Sequence, residues 1–422
     1  MQERVIAIIA TLDTKGPETA FVKSQIEASG FGTLILDTSI LERRSPESPR
    51  PQVSANDIAL EGGEDRADLI ARSSEKETRN RGIRAMAKGS ARILRRLYDD
   101  GKICGVIALG GAQGTEISTY AMRALPLGVP KVMVSTVASG QTPFGIYTGT
   151  RDITVMHSVV DILGLNSLTR RILANAAGAV LGMAQAEVIE EGKPRTRVGI
   201  TIYGQTTPAA LAIKPRLENM GYEVFAFHSN GTGGRAMEEL AVEGMLDVIF
   251  DLSTHEITDE IFGGIHAGDS QRLLAGGLKG IPRLVVPGAL DLITLGEPES
   301  IPEAYRLQPS VRHNPHITLV RLTGEQMMQV AEVVGSRLNQ AKGAVIVVIP
   351  KGGYSFYNRE GLHFRNVEAD RLFVETLRSI LKPGIPIIEI DSHVNDPPFV
   401  EEILAIFETL TRSLREPEGR AS

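Results

Sequence analysis

The sequence predicts an α/β protein built from two related, doubly wound (Rossmann-like) subdomains with mainly parallel sheets. Three observations carry this prediction. At 422 residues the chain is too long for a single hydrophobic core, and two domains are the natural division. Short Val/Ile/Leu runs alternate with amphipathic stretches, the pattern of parallel strands buried on both faces and joined by helices. Finally, residues 4–39 (RVIAIIATLDTKGPETAFVKSQIEASGFGTLILDTS) and 197–230 (RVGITIYGQTTPAALAIKPRLENMGYEVFAFHSN) repeat one plan: strand, Thr-containing loop, proline, helix, glycine, strand.

Each boundary in that plan has a physical reason. Pro17 and Pro208 stand where a helix begins and a missing N–H costs nothing. Gly30 and Gly221 stand just past its end, where a positive φ is often needed. The parallel then continues. Arg84-Ala85-Met86 and Arg235-Ala236-Met237 lie in helices leading to the apolar strands 104–109 and 246–250. Thr115-Glu116-Ile117 has its counterpart in His255-Glu256-Ile257. Gly128-Val129-Pro130-Lys131 precedes strand 132–134 as Gly280-Ile281-Pro282-Arg283 precedes strand 284–286.

The charged, Pro/Gly-containing stretch 190–195 serves as linker, giving an amino-terminal subdomain over 1–194 and a carboxyl-terminal one over 195–422. The first half carries a Pro- and charge-rich insertion over about 42–80. It reads as a solvated arm, with a mobile cover over a nearby pocket as the functional alternative. The second half adds two buried-strand candidates, AVIVVIP (344–350) and PIIEID (386–391). Segment 175–186 (NAAGAVLGMAQA) suits a tightly packed helix at a domain or subunit contact, and His313-Asn314-Pro315-His316 is expected in an irregular stretch.

Composition excludes several classes of function. With 45 basic against 51 acidic residues, a net charge of −6, 5% aromatics and no Trp, the chain lacks both the basic footprint and the stacking platforms of a nucleic-acid binder. Its apolar runs are too short to cross a bilayer, and its start lacks the pattern of a signal peptide, so the cytoplasm is the expected address. The single cysteine, Cys104, excludes an internal disulfide and any multi-cysteine metal cage, and reads as a small core residue.

In open α/β sheets ligands bind beyond the carboxyl ends of the strands, so the residues after each apolar run matter most. In the first half these are Thr11-Leu12-Asp13-Thr14-Lys15, Asp37-Thr38-Ser39, the loop from Gly110 to Thr115, and Ser135-Thr136 onward. Glycines let backbone amides approach anionic oxygens, the following helix adds its positive end, hydroxyls donate, and Lys15 or Arg81 supplies full charge. This is the chemistry of a phosphate ligand, with Asp13 or Asp37 able to hold Mg²⁺ or a ribose hydroxyl. No P-loop sequence occurs. Gly231-Thr232-Gly233-Gly234-Arg235-Ala236 satisfies Gly-x-Gly-x-x-Ala between a strand and a helix, which makes it a second candidate anion loop and leaves NAD open.

The second half concentrates titratable groups where the first has hydroxyls: His228, Asp251, His255, Glu256, Asp291, His393 and Asp396 follow strand ends. That placement suits a small-molecule pocket with acid/base groups. No His-Glu-x-x-His or comparable spacing names a metal ligand, so any metal site would have to assemble from distant strand ends.

Together, Thr11-Leu12-Asp13-Thr14-Lys15-Gly16, the Gly110 to Thr115 loop, Pro130-Lys131-Val132-Met133-Val134-Ser135-Thr136-Val137-Ala138-Ser139-Gly140, Ser158-Val159-Val160-Asp161-Ile162, the run from Gly231 to Glu238 and His313-Asn314-Pro315 resemble the Tm-one-like ATP-binding family. The resemblance spans essentially the whole chain. It implies ATP bound with Mg²⁺ in the amino-terminal half and a homodimer. Its motif places the nucleotide contacts at Asp13, Thr14, Lys15, Ser39, Arg81, Gly111, Ala112, Gln113 and Gly114. Here the chain departs from the family, whose loop usually reads Gly-Gly-Ser-Gly-Gly-Thr. Ala112 and Gln113 replace the serine and a glycine, which removes a hydroxyl donor and stiffens the loop.

Two functions follow, and the sequence leaves both open. One is an ATP-dependent metabolic enzyme acting on a small molecule held by the carboxyl-terminal half, with His228, Glu256 and His393 as candidate catalytic acid/base groups. The other is a non-catalytic binding module regulated by ATP. An NAD-dependent oxidoreductase using Gly231 to Ala236 is a third alternative.

Overall fold

The computed structural model describes residues 4–40, 47–72, 76–139, 145–187 and 195–415. The chain divides into two compact units, Met1–Glu190 and Glu191–Ser422.

Unit 1 runs β1 (Val5–Ala10), α1 (Gly16–Glu27), β2 (Gly32–Asp37), α2 (Ala55–Glu61), α3 (Arg66–Ala71), α4 (Lys76–Asp99), β3 (Gly105–Gly110), α5 (Ala112–Arg123), β4 (Lys131–Ser135), α6 (Gly145–Thr148), β5 (Thr154–His157) and α7 (Ser167–Gln185). Its five strands are parallel in the order β2-β1-β3-β4-β5. Every residue of β3 and β4 is buried, which is why these strands read as unbroken apolar runs. Side chains alternate between faces. Ile6, Ile8, Ile107 and Leu109 meet Val22 of α1 and Ala176 and Val180 of α7, whereas Ala7, Ile9 and Ala108 meet Ile58 of α2, Met86 of α4 and Ile117 of α5. The small residues of α7 thus serve packing on the sheet within unit 1.

The insertion departs from the expected solvated arm. In its described part, Val53 forms a parallel bridge to Leu36, and Ala55, Ile58 and Ala59 enter the core. A Cβ on Gly89 would sit 1.9 Å from the Ile58 carbonyl oxygen, and one on Gly62 would sit 2.0 Å from that of Ala85. Helices α2 and α4 therefore touch backbone to backbone, a contact that no exposed arm would need. Residues 41–46 and 73–75 of the insertion lie outside the described residues.

Unit 2 repeats the plan with β6 (Arg197–Ile202), α8 (Thr207–Asn219), β7 (Glu223–His228), α9 (Thr232–Val242), β8 (Val248–Asp251), α10 (His255–Phe262), α11 (Ala275–Leu278) and β9 (Arg283–Val285). It continues with β10 (Leu292–Leu295), β11 (Ser310–Asn314), β12 (Ile317–Arg321), α12 (Gly324–Leu338), β13 (Val345–Pro350), α13 (Val367–Ile380), β14 (Ile387–Ile390) and α14 (Pro397–Arg415). The main sheet is parallel in the order β14-β13-β9-β8-β6-β7. Its β7-β6-β8-β9 portion repeats the β2-β1-β3-β4 portion of unit 1. The paired residues agree as well: Met86 and Met237, and Ile117 and Ile257, are fully buried, and Gly128 and Gly280 share φ values of 83° and 86°. Helices α8 and α14 cover one face, with Phe399, Ile403 and Phe407 against Ile200, Phe250 and Val348. On the other, α12 and α13 pack against Val285, Val345 and Val347.

One region differs from expectation. His313 and Asn314, read as irregular, belong to β11, which pairs antiparallel with β12 in a small β10-β12-β11 sheet. Strand β11 is largely exposed, so it lacks the apolar alternation that marks a strand in sequence.

Candidate functional site

In both units the chain leaves the first strand for an outer neighbour and returns to pair on the other side. The crevice where strand order reverses lies at the carboxyl ends of β1 and β3 in unit 1 and of β6 and β8 in unit 2, the position where such sheets bind ligands.

At the unit 1 crevice, residues 11–15 form a turn, with the Thr14 and Lys15 amides bonding back to the Thr11 carbonyl at 3.1 and 2.8 Å. Asp37 holds this turn, accepting from the Leu12 amide at 3.2 Å and the Ser39 amide at 3.0 Å, while Ser39 Oγ accepts from the Asp13 amide at 2.9 Å. Asp37 is thereby committed to the loop; Asp13 is half-buried at the rim. The Lys15 ammonium donates to the Ile162 carbonyl, and among the described residues no carboxylate pairs with it.

The glycine-rich loop opens α5. Gly111 is the N-cap residue and offers no side chain to cap the helix, and a Cβ on Gly110 would stand 2.8 Å from Gly114 Cα, so strand and helix meet tightly. Beneath the loop, buried Thr115 and Ser135 share a hydroxyl hydrogen bond of 2.7 Å. Gln113, where the family pattern has glycine, is gripped by Arg79: with its amide oxygen turned to that side, it accepts from Nη2 at 3.0 Å and Nε at 2.7 Å. Arg81 is bound elsewhere, its Nε and Nη2 reaching Glu64 at 3.1 and 2.6 Å. Among the described residues, the guanidinium that reaches the glycine loop is that of Arg79, which sequence reading missed although it lies two residues from Arg81 on the same helix. Asp13, Thr14, Lys15, Ser39, Gly111, Ala112, Gln113 and Gly114 are gathered at this sheet edge, and Arg81 points into the insertion.

The unit 2 crevice is built around Tyr203, which directly follows β6 and is buried. Its ring stacks on that of His255 with centroids 4.3 Å apart, and the rings of His228 and His266 both lie 5.8 Å from it. The Tyr203 hydroxyl is 3.1 Å from His266 Nδ1 and 2.9 Å from Thr294 Oγ1, which in turn is 2.8 Å from His255 Nε2. Burial pushes the Tyr203 phenol well above its usual range, so it stays protonated. Burial likewise lowers His266, assisted by neighbouring His255 and His228. Burial opposes a proton on His255 too, but Asp259 outweighs it and raises the ring.

Of the three acid/base candidates, only exposed His228 belongs to this cluster. Glu256 is buried, and both its oxygens are engaged: Oε1 accepts from the Gly231 and Gly234 amides at 2.9 and 3.0 Å, and Oε2 from Arg272 Nε at 2.7 Å. The anion held by the Gly-x-Gly-x-x-Ala loop is thus the chain's own carboxylate. A Cβ on Gly234 would lie 1.9 Å from Glu256 Oε2, so the glycine is required by this internal contact. These two corrections have one cause: Glu256 holds the turn that was expected to take a dinucleotide, and it is not available as a catalytic acid. His393 sits in a separate network. Its Nε2 donates to the Ser355 carbonyl at 2.9 Å, and Nδ1 accepts from the Asn395 amide at 3.1 Å and Arg359 at 3.0 Å. Burial keeps its pKa low, and the ring is neutral and fixed.

Beneath the crevice lies a buried charge cluster. Arg283 meets Glu238 at 2.8 Å and Asp251 at 3.0 Å, while Arg272 meets Asp251 at 2.6 Å and Glu256 at 2.7 Å. A cavity of about 300 Å³ lined by Lys351, Arg365, Asp370 and Glu389, among others, shares none of the histidines.

Two family models cover this chain. The Uncharacterised protein family (UPF0261) N-terminal domain matches residues 4–188, and its C-terminal domain matches residues 195–411. The chain belongs to the UPF0261 family. A UPF0261 protein of Clostridium tetani is 40% identical over 400 residues, 94% of this chain and 96% of the relative. The ToMV resistance protein Tm-1 of Solanum lycopersicum is 35% identical over 350 residues, 81% of this chain but 46% of that protein. The resemblance read from the motifs therefore holds, and UPF0261 and the tomato proteins are homologues. Among solved structures, the UDP-N-acetylglucosamine 2-epimerase of Rickettsia bellii aligns over 98% of both chains at 10% identity with a TM-score of 0.23, a likeness that carries no functional weight.

Proposed function

We propose that this protein binds ATP with Mg²⁺ at the carboxyl edge of the unit 1 sheet and acts as an ATP-dependent enzyme on a small molecule taken up by unit 2. The observation that carries the reading is the start of α5. This helix opens at the point of strand reversal with Gly111 as a bare cap, leaving its first amides and its positive dipole end to an external anion. In unit 2 the helix equivalent to α5 is α10, whose cap residue Thr254 likewise makes no side-chain cap hydrogen bond, and it is the glycine turn after β7 that already holds Glu256.

The residues fit a polyphosphate. The amides of Ala112, Gln113 and Gly114 would take terminal oxygens, Lys15 and Arg79 would balance their charge, and the Thr14 hydroxyl would donate. Asp13 would share Mg²⁺ with the phosphates, since Asp37 is spent on the turn. Bound ATP would supply an activated phosphoryl group. In unit 2, His228 is the exposed base and the Tyr203 hydroxyl the buried donor beside it.

Calorimetry with ATP and MgCl2 tests the first part. Heat should be released by the wild-type chain, and Lys15→Ala should weaken binding about tenfold or more, as expected for loss of a charge-assisted contact. No heat from ATP ends the proposal. A second reading, in which ATP regulates a binding surface without turnover, draws on the saturation of Glu256 and His393, which leaves unit 2 few groups for chemistry; a relative named as a resistance protein agrees with it. Nucleotide turnover in a pool of metabolites, lost in His228→Ala while ATP still binds, selects the enzyme. Homodimerisation remains part of this proposal and is checked by light scattering.

A further inference from the structure

Three metal-ligating side chains of unit 2 converge at the crevice. His255 and Asp259 stand four residues apart on α10, and His266 lies in the turn beyond it. One donor atom from each falls within 4.8 Å of the other two. His255 Nε2 is 3.3 Å from Asp259 Oδ2, and both residues are fully buried. Two ligands bonded to one tetrahedral zinc ion at about 2.0–2.2 Å stand roughly 3.3–3.6 Å apart. The pair is already spaced for a shared ion.

The orientation of His255 strengthens the case. Its Nδ1 lies 3.0 Å from the Ala289 carbonyl oxygen, which can only accept, so Nδ1 carries a proton. Ala289 is a non-glycine residue at φ 55°, and its N–H donates a hydrogen bond to the Tyr354 carbonyl at 2.8 Å. Backbone strain at this position aims the carbonyl that fixes the ring, as outer partners of metal-bound histidines do. The remaining ring nitrogen, Nε2, then faces the Asp259 carboxylate at 3.3 Å and the Thr294 hydroxyl at 2.8 Å. In a neutral ring Nε2 and the carboxylate oxygen are both acceptors, and at 3.3 Å in a buried site they repel unless a proton or a metal ion lies between them. Asp259 is fixed as firmly: Oδ1 accepts from the Thr294 amide at 2.9 Å and Oδ2 from the His266 amide at 2.9 Å.

We infer that His255, Asp259 and His266 form a binding site for a divalent transition-metal ion, with zinc the ion best matched to two imidazoles and a carboxylate at this spacing. Three protein ligands leave further positions for water or a substrate oxygen, as in sites that do chemistry rather than hold a fold together. Half-buried His266 and exposed His228 flank the Tyr203 ring, so the open side lies where a small molecule would enter. The site needs no nucleotide and stands independently of the ATP proposal.

The full chain, freed of metal by dialysis against a chelator, is titrated with zinc against a chromophoric competitor and with cobalt(II), whose visible bands report a tetrahedral site. One equivalent per chain should bind. His266→Ala and Asp259→Asn should each weaken binding about 100-fold or more, and the outer-partner variant Tyr203→Phe about tenfold. His313→Ala, exposed on β11, should leave it unchanged. Circular dichroism checks folding, and half-buried His266 keeps the test valid if the buried Asp259 variant unfolds. Absence of zinc uptake by the wild-type chain would show that a proton alone bridges His255 and Asp259, and uptake that survives His266→Ala would show that the ion is not held by these three side chains; either result overturns the assignment.

Discussion

Glu238 carries much of the negative charge that lets Arg272 and Arg283 stay buried under the unit 2 crevice. It accepts from both Arg283 Nη atoms at 2.8 Å and from the Leu273 and Gly276 amides at 2.8 Å. Replacing it by glutamine leaves guanidinium charge uncompensated, so Glu238→Gln should cost about 3–5 kcal/mol in urea unfolding at neutral pH. The pH dependence has a definite sign. Burial opposes ionisation of Glu238, but Arg283 and Arg272 outweigh it and hold the carboxyl below its ordinary value of 4.5. On acidification the unfolded chain takes up this proton first, so the stability Glu238 contributes is full above pH 4.5 and disappears as pH falls through the folded value. Urea midpoints measured from pH 7 to pH 3 should therefore fall less steeply in Glu238→Gln than in the wild type; equal slopes would contradict the assignment. At this scale the sequence was only partly legible. His228, Glu256 and His393 follow strand ends alike, yet only His228 is exposed. What separates them is the partners of the other two, the Gly231 amide and Arg272 for Glu256 and the Ser355 carbonyl for His393, which come from separate segments. Asp259 left a local signal that was passed over: a His and an Asp four residues apart share one face of a helix.

Elements meet closely where glycine permits, and the same substitution has opposite consequences at two helical positions. Gly178 lies in α7 with nothing within 4 Å of an added Cβ, whereas Gly89 lies in α4 with the Ile58 carbonyl oxygen at 1.9 Å. Gly178→Ala should stabilise by about 0.5–1 kcal/mol through helix propensity. Gly89→Ala should destabilise by about 1–3 kcal/mol, because α2 and α4 must separate. Thermal midpoints of the two variants should move in opposite directions, and parallel shifts would deny the backbone contact. Strands, caps and turns were the most legible elements, since buried parallel strands, Pro17, Pro208, Gly30 and Gly221 all have local causes. The insertion was misread because its charge is visible in sequence while its contact with α4 rests on two glycines that bear no side chain.

Across the whole molecule, one topology appears twice but its two crevices are finished differently. The order β2-β1-β3-β4 recurs as β7-β6-β8-β9, and the sequence disclosed that repeat because each equivalent strand keeps its own punctuation. The difference in finish was hidden, because it depends on which anion meets each glycine turn. Among the described residues no side chain caps Gly111 after β3 in unit 1, while in unit 2 the glycine turn after β7 has its Gly231 and Gly234 amides occupied by Glu256. ATP with Mg²⁺ should therefore bind the native chain and raise its melting temperature, with about 2.7 kcal/mol of added stability at a free concentration 100 times the dissociation constant. NAD should leave the melting temperature unchanged, since its pyrophosphate would have to displace a carboxylate that also neutralises Arg272 at 2.7 Å. Parallel thermal titrations with the two ligands decide the matter. A rise with NAD that vanishes in Gly234→Ala would mean that Glu256 yields its place, and that the second crevice, not the first, is the nucleotide site.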